Sequence, residues 1–65
     1  MKTYILFDYI NQDIVTKGTL KEIKDVLIEI GEENEWDNLN EVHSLDTEEE
    51  ISKWVYENLD FYLEE

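Results

Sequence analysis

The apolar positions change period along this chain, from alternation at its start to helical spacing twice thereafter. Residues 2–10, KTYILFDYI, are β-branched or aromatic at most positions. Thr3, Ile5, Phe7 and Tyr9 alternate with Tyr4, Leu6 and Asp8, which predicts a strand whose first set forms the more apolar face. Asn11-Gln12-Asp13 reads as a polar turn and residues 14–17, IVTK, as a short second strand, together a hairpin. Thr19 followed by Glu22 is a capping-box signature, in which each side chain satisfies an orphan amide of the first helical turn. Leu20, Ile23, Leu27 and Ile30, with Val26 beside them, then form an apolar stripe at helical spacing, and Gly31 is the expected stop.

Residues 41–45, EVHSL, read as a third strand. Thr47 and Glu50 repeat the capping box, and the acids at 48–50 suit the positive end of a helix dipole. Ile51, Val55, Leu59 and Tyr62 extend this second helix to about Leu63, with Trp54 at the margin of its stripe. The two helix starts share Thr-x-x-Glu-Ile. That repeat fits either a duplicated strand–helix unit or convergence on a common cap. The expected architecture is a single α+β domain over residues 1–65, in the order β-β-α-β-α. Its small antiparallel sheet would be covered on one face by two helices. The open face would then show Tyr4, Leu6 and Asp8, apolar enough to serve an interface or a homodimer.

The opening run KTYILFDYINQDIVTKGTLKEIKDVL resembles the hairpin-plus-helix openings of small uncharacterised phage and prophage proteins of low-GC Gram-positive bacteria. In those, an aromatic first strand, a polar turn and a Gly-Thr-x-x-Glu helix start recur. The resemblance covers about residues 2–28 and implies no catalytic residues. The chain also lacks Ala, Arg and Pro and is rich in Ile, Asn, Lys, Glu and Tyr. That bias points to AT-rich codons and so to an AT-rich genome.

Charge changes the picture most. The formal net charge is −13 over 65 residues. Residues 1–30 hold five acids against four lysines, whereas residues 31–65 hold thirteen acids against Lys53 alone. Such a half repels nucleic acid and anionic membrane and attracts basic protein surfaces. Direct DNA or RNA binding is therefore not expected, nor is membrane association. The absence of cysteine fits a reducing compartment. Nothing at the start has the apolar length or cleavage site of a signal peptide. A soluble cytoplasmic protein is the expectation.

Catalytic chemistry finds little to stand on. His43 is the one histidine, its neighbour Ser44 would point to the opposite face of a strand, and no glycine-rich phosphate cradle exists. Carboxylates abound, but a general acid needs one that burial has shifted, and these runs look solvated. A non-enzymatic protein with no cofactor is expected. Asp37, Asn38, Asn40 and Glu41 offer oxygen ligands of the kind calcium takes, without the alternation and central glycine of a calcium loop. No metal site is assigned.

The remaining signal is the acidic surface itself. Glu50, Glu57 and Glu64 recur every seven residues on the second predicted helix, with Asp60 between them and Glu49 nearby. One continuous helix would space them about 10.5 Å apart along its axis. Glu32, Glu33, Glu35 and Asp37 extend the same field. These residues and Trp36 are the candidate partner-binding set. They suggest a phage-type inhibitor that mimics a polyanion and docks on a basic, nucleic-acid-handling host protein. The alternative is a hydrophobic interaction module or homodimer whose charge serves solubility. Trp36 sits among acids and asparagines, either as a cap folded back over the core or as an interface anchor.

Overall fold

The computed structural model describes residues 2–65. Its elements are β1 (Tyr4–Asp8), β2 (Asp13–Gly18), α1 (Leu20–Glu33), α2 (Leu39–His43), α3 (Glu48–Leu59) and β3 (Phe61–Glu64). The three strands form an antiparallel sheet in the order β2-β1-β3. The α+β class and the small antiparallel sheet follow the sequence pattern. The order of the second half differs, since the third strand lies at the end of the chain rather than at residues 41–45.

The hairpin forms because Asp8 ties its own turn. One carboxylate oxygen accepts the backbone N–H groups of Ile10 and Asn11, both at 3.1 Å, and the other accepts Asn11 Nδ2–H at 2.7 Å. The Asn11 contacts hold the Asp8 carboxyl below its ordinary range. Between Leu6 and Phe7 the β1–β2 register slips, and Val15 is the extra residue of the bulge. Because of that slip, Leu6 pairs with Thr16 on the inner face while Phe7 pairs with Ile14 on the outer one.

The inward set on β1 is Tyr4 and Leu6, which reverses the expected parity. Leu6 is fully buried with Ile23, Leu27, Val42, Ile51 and Val55. Both sets of alternating positions are apolar, so the pattern alone could not choose between two registers related by a one-residue slip. The outer face carries Ile5 and Phe7 instead. Phe7 packs on Tyr62 with ring centroids 5.4 Å apart, and Tyr9 continues the cluster to Tyr62 and Tyr56. Ile14, about half exposed at 51%, borders it across the hairpin.

Both capping boxes close, Thr19 with Glu22 and Thr47 with Glu50. The first follows a strand, but the second follows α2 and a short connection, so the shared Thr-x-x-Glu-Ile reflects a common cap rather than a repeated strand–helix unit. Backbone amides donated to Glu22 and Glu50 lower both carboxyls from their ordinary 4.5. A depressed folded-state pKa adds stability above the ordinary value, and that stability disappears as pH falls through the folded value. Glu50→Gln keeps the hydrogen-bonding shape of the box and removes the charge. In thermal melts the wild type should therefore be the more stable at neutral pH. Its advantage should vanish on acidification below 4.5. An advantage unchanged by acid would contradict this assignment.

Gly31 does not stop α1. The helix runs on to Glu33, with Asn34 as its C-cap, and Glu35 takes the left-handed conformation at φ 54°. Residues 41–45 are not a strand either: Leu39–His43 is a short helix that buries Val42. Leu45 follows it into the core. The last helix ends at Leu59 rather than Leu63, because Asp60 turns left-handed at φ 56° and reverses the chain into β3. Leu63 then pairs with Leu6, and Tyr62 with Phe7.

Candidate functional site

The 34–38 turn is held against α3. Trp36 is half-buried and packs on the edge of the core, its ring 5.8 Å from that of Trp54. Its backbone N–H donates to the Gly31 carbonyl at 3.0 Å. Gly31 makes room for it, since a Cβ there would lie 2.8 Å from Trp36 Cε3 and 2.5 Å from Leu39 Cδ1. Trp54 in turn donates its indole N–H to Glu41 at 3.0 Å, and Asn38 reaches Asn58 at 3.5 Å. Trp36 is thus a lid over the Trp54 end of the core with one edge in solvent.

The acids fall into three groups. Glu32, Glu33, Glu35 and Asp37 are exposed around the end of α1 and the turn. Glu49, Glu50 and Glu57 lie on the exposed side of α3. Asp60 and Glu64 are exposed beyond it, on the α3–β3 corner and on β3. The contact of the 34–38 turn with residues 54–58 brings the first group beside the end of α3. The seven-residue row expected of one long helix does not exist. Glu64 belongs to a strand, and Asp60 accepts the Tyr9 hydroxyl at 3.2 Å. Glu50 is turned back onto the amides of Asp46 and Thr47. Desolvation, followed by the Asp60 charge, raises the Tyr9 phenol above its ordinary value.

Very little of this charge is neutralised. The ion pairs among the described residues are Lys2–Glu65 at 2.9 Å and Lys24–Asp46 at 3.9 Å, and neither involves a candidate residue. Acids also occupy positions where helices favour cations. The last turns of α1 and α3 carry no base, and α1 ends on Glu32 and Glu33. Each acid at a helix C-terminus faces a negative dipole end, an effect of about 0.3–1 kcal/mol at exposed sites.

Two depressions flank α3. The larger, an open groove of about 550 Å³, runs between α3 and β3. Glu48, Glu49, Lys53, Tyr56 and Glu57 line its helix side, and Leu63 its strand side. The smaller, about 200 Å³, lies between α3 and Leu45. Sequence reasoning missed this groove, because a helix running to Leu63 placed Leu63 on the same element as Tyr56 rather than on a strand across from it. No three His, Asp or Glu side chains among the described residues converge as a metal site. No helix among them is long and apolar enough to cross a membrane. No protein-family model, curated protein or solved structure matches the chain.

Proposed function

We propose that this chain is a non-enzymatic, cytoplasmic binding module that docks its acidic surface on a basic partner protein. A nucleic-acid-handling host protein fits best, because its basic groove is built for a polyanion, and the chain would act there as a phage-type inhibitor. The observation that carries this reading is the placement of acid. Residues 31–65 hold thirteen carboxylates and one lysine, and the candidate acids extend even to helix ends where they oppose the dipole. A surface charged only for solubility usually intersperses both signs. The resemblance of residues 2–28 to small phage proteins is compatible with it.

The test is capture of basic proteins from a low-GC bacterial lysate, with competing DNA and with the doubly reversed Glu49→Lys/Glu57→Lys chain. Capture should be displaced by DNA and largely lost at about 0.5 M NaCl, where the Debye length shrinks to a few ångströms. It should fall at least about tenfold for the reversed chain, as expected when complementary charges are made repulsive. Capture indifferent to salt and to the reversal would overturn the reading. The homodimer alternative draws on the outer face of Ile5, Phe7, Ile14 and Tyr62 rather than on Tyr4 and Leu6, which are buried. Sedimentation of the protein alone tests it.

A further inference from the structure

We infer that the free edge of β3, with the groove beside it, takes an extended basic segment of a partner protein as a fourth strand of the sheet. This rests on the acidic-docking function proposed above and specifies its geometry. β3 is paired on one side only, to β1, so its other edge presents unpaired backbone donors and acceptors. The opposite edge, β2, is distorted by the Val15 bulge, a device that blunts strand addition. β3 carries no such shift, and its register with β1 is regular from Phe61 to Glu64.

The groove has the length such a segment needs. From Glu48 to Glu57 the α3 wall rises about 13.5 Å at 1.5 Å per residue. Four strand residues span about 13 Å, and β3 is four residues long. Tyr56 and Leu63 supply apolar floor on either side, while Glu48, Glu49 and Glu57 outnumber the single cation, Lys53, along the rim. An added strand alternates its side chains between two faces, so apolar residues on one face would meet Tyr56 and Leu63. Basic residues on its other face lie on the side of Glu64, which is next to Leu63 in β3 and so on the outer face, within the field of the α3 acids.

Charge selects the occupant. Antiparallel self-pairing of two β3 edges would set Asp60 of one copy beside Glu64 and Glu65 of the other, and like charges across an interface are strongly disfavoured. A lysine- or arginine-bearing segment instead meets a net negative field, from Glu48, Glu49 and Glu57 in the groove and Glu64 on the strand. The acidic rim therefore excludes self-pairing and leaves the edge open to a basic strand.

The probe is a peptide of alternating lysine and valine, about eight residues long so that it outspans β3. An isomer of identical composition with its lysines and valines in separate blocks is the comparison. The full chain is titrated with each while amide shifts and hydrogen exchange are followed. The alternating peptide should bind about tenfold more tightly than the block isomer, the equivalent of one or two added ladder hydrogen bonds. It should also slow exchange at amides within residues 61–64, and Glu49→Lys/Glu57→Lys should weaken both peptides. Equal binding of the isomers with unchanged β3 amides overturns strand addition and leaves basic docking standing. Binding of neither overturns both. Protection of the β3 amides by dimerisation in salt, without peptide, assigns the edge to a second copy and overturns the inference.

Discussion

Replacing Leu6 with alanine is expected to cost the fold about 2–5 kcal/mol, the range for truncating a fully buried leucine. A single core in a chain this short rarely supplies more than about 3–5 kcal/mol, so the variant should be largely unfolded in water. Leu6 has no exposed surface, and its cross-strand partners, Thr16 and Leu63, bring both outer strands to it. Leu6→Glu, which would only separate protomers if Leu6 lay on an open sheet face, should instead abolish the fold. Urea denaturation followed by tryptophan fluorescence is the measurement. A folded, monomeric Leu6→Glu protein would show that the inner and outer faces of β1 have been exchanged.

Gly31→Ala should also destabilise, against the usual sign for a glycine inside a helix. Helix propensity alone favours alanine by about 0.8–1.0 kcal/mol. The new methyl, however, would meet Leu39 Cδ1 at 2.5 Å and Trp36 Cε3 at 2.8 Å. The leucine methyl can swing aside, but the indole is rigid and lies against Trp54. Overpacking of this kind costs about 1–3 kcal/mol, enough to cancel or exceed the propensity gain. The relief available to the chain is to lift Trp36 off α1. Its fluorescence should shift to the red and become more accessible to a neutral quencher, while the melting temperature falls. A stabilised variant with unchanged emission would mean that Trp36 does not rest on Gly31.

Where the sequence was legible, short-range chemistry decided the outcome. The hairpin and the two capping boxes depend on residues within three or four positions of one another, such as Asp8 with Asn11 and Thr47 with Glu50, although the turn takes residues 9–12 rather than the expected 11–13. The α+β class followed from these local units. What was not legible depended on tertiary context. Gly31 carries the mark of a helix stop, yet its lack of a side chain is used to seat Trp36 and Leu39. Leu39, Val42 and Leu45 recur at three-residue spacing, a helical signal that the β-branched Val42 obscured. The run Phe61-Tyr62-Leu63 has strand character, but Leu59, Tyr62 and Leu63 also continue the preceding helical stripe. The left-handed turn at Asp60 separates the two possibilities. The candidate acids were recognisable as a set, because composition alone reveals them. Their division among a helix end, a helix face and an edge strand was not.

The pairing of β3 with β1 has a mechanical consequence. Glu64 pairs with Ile5, and Glu65 bridges Lys2, so the first and last described residues meet at one end of an antiparallel ladder. Tension applied through residues 2 and 65 would load that ladder one hydrogen bond at a time, as in opening a zipper, rather than all at once in shear. The first bonds to break would free Leu63 from Leu6 and open the core beneath. A strand laid along the free edge of β3 would tie that same element to a second body and lengthen the life of the fold under load.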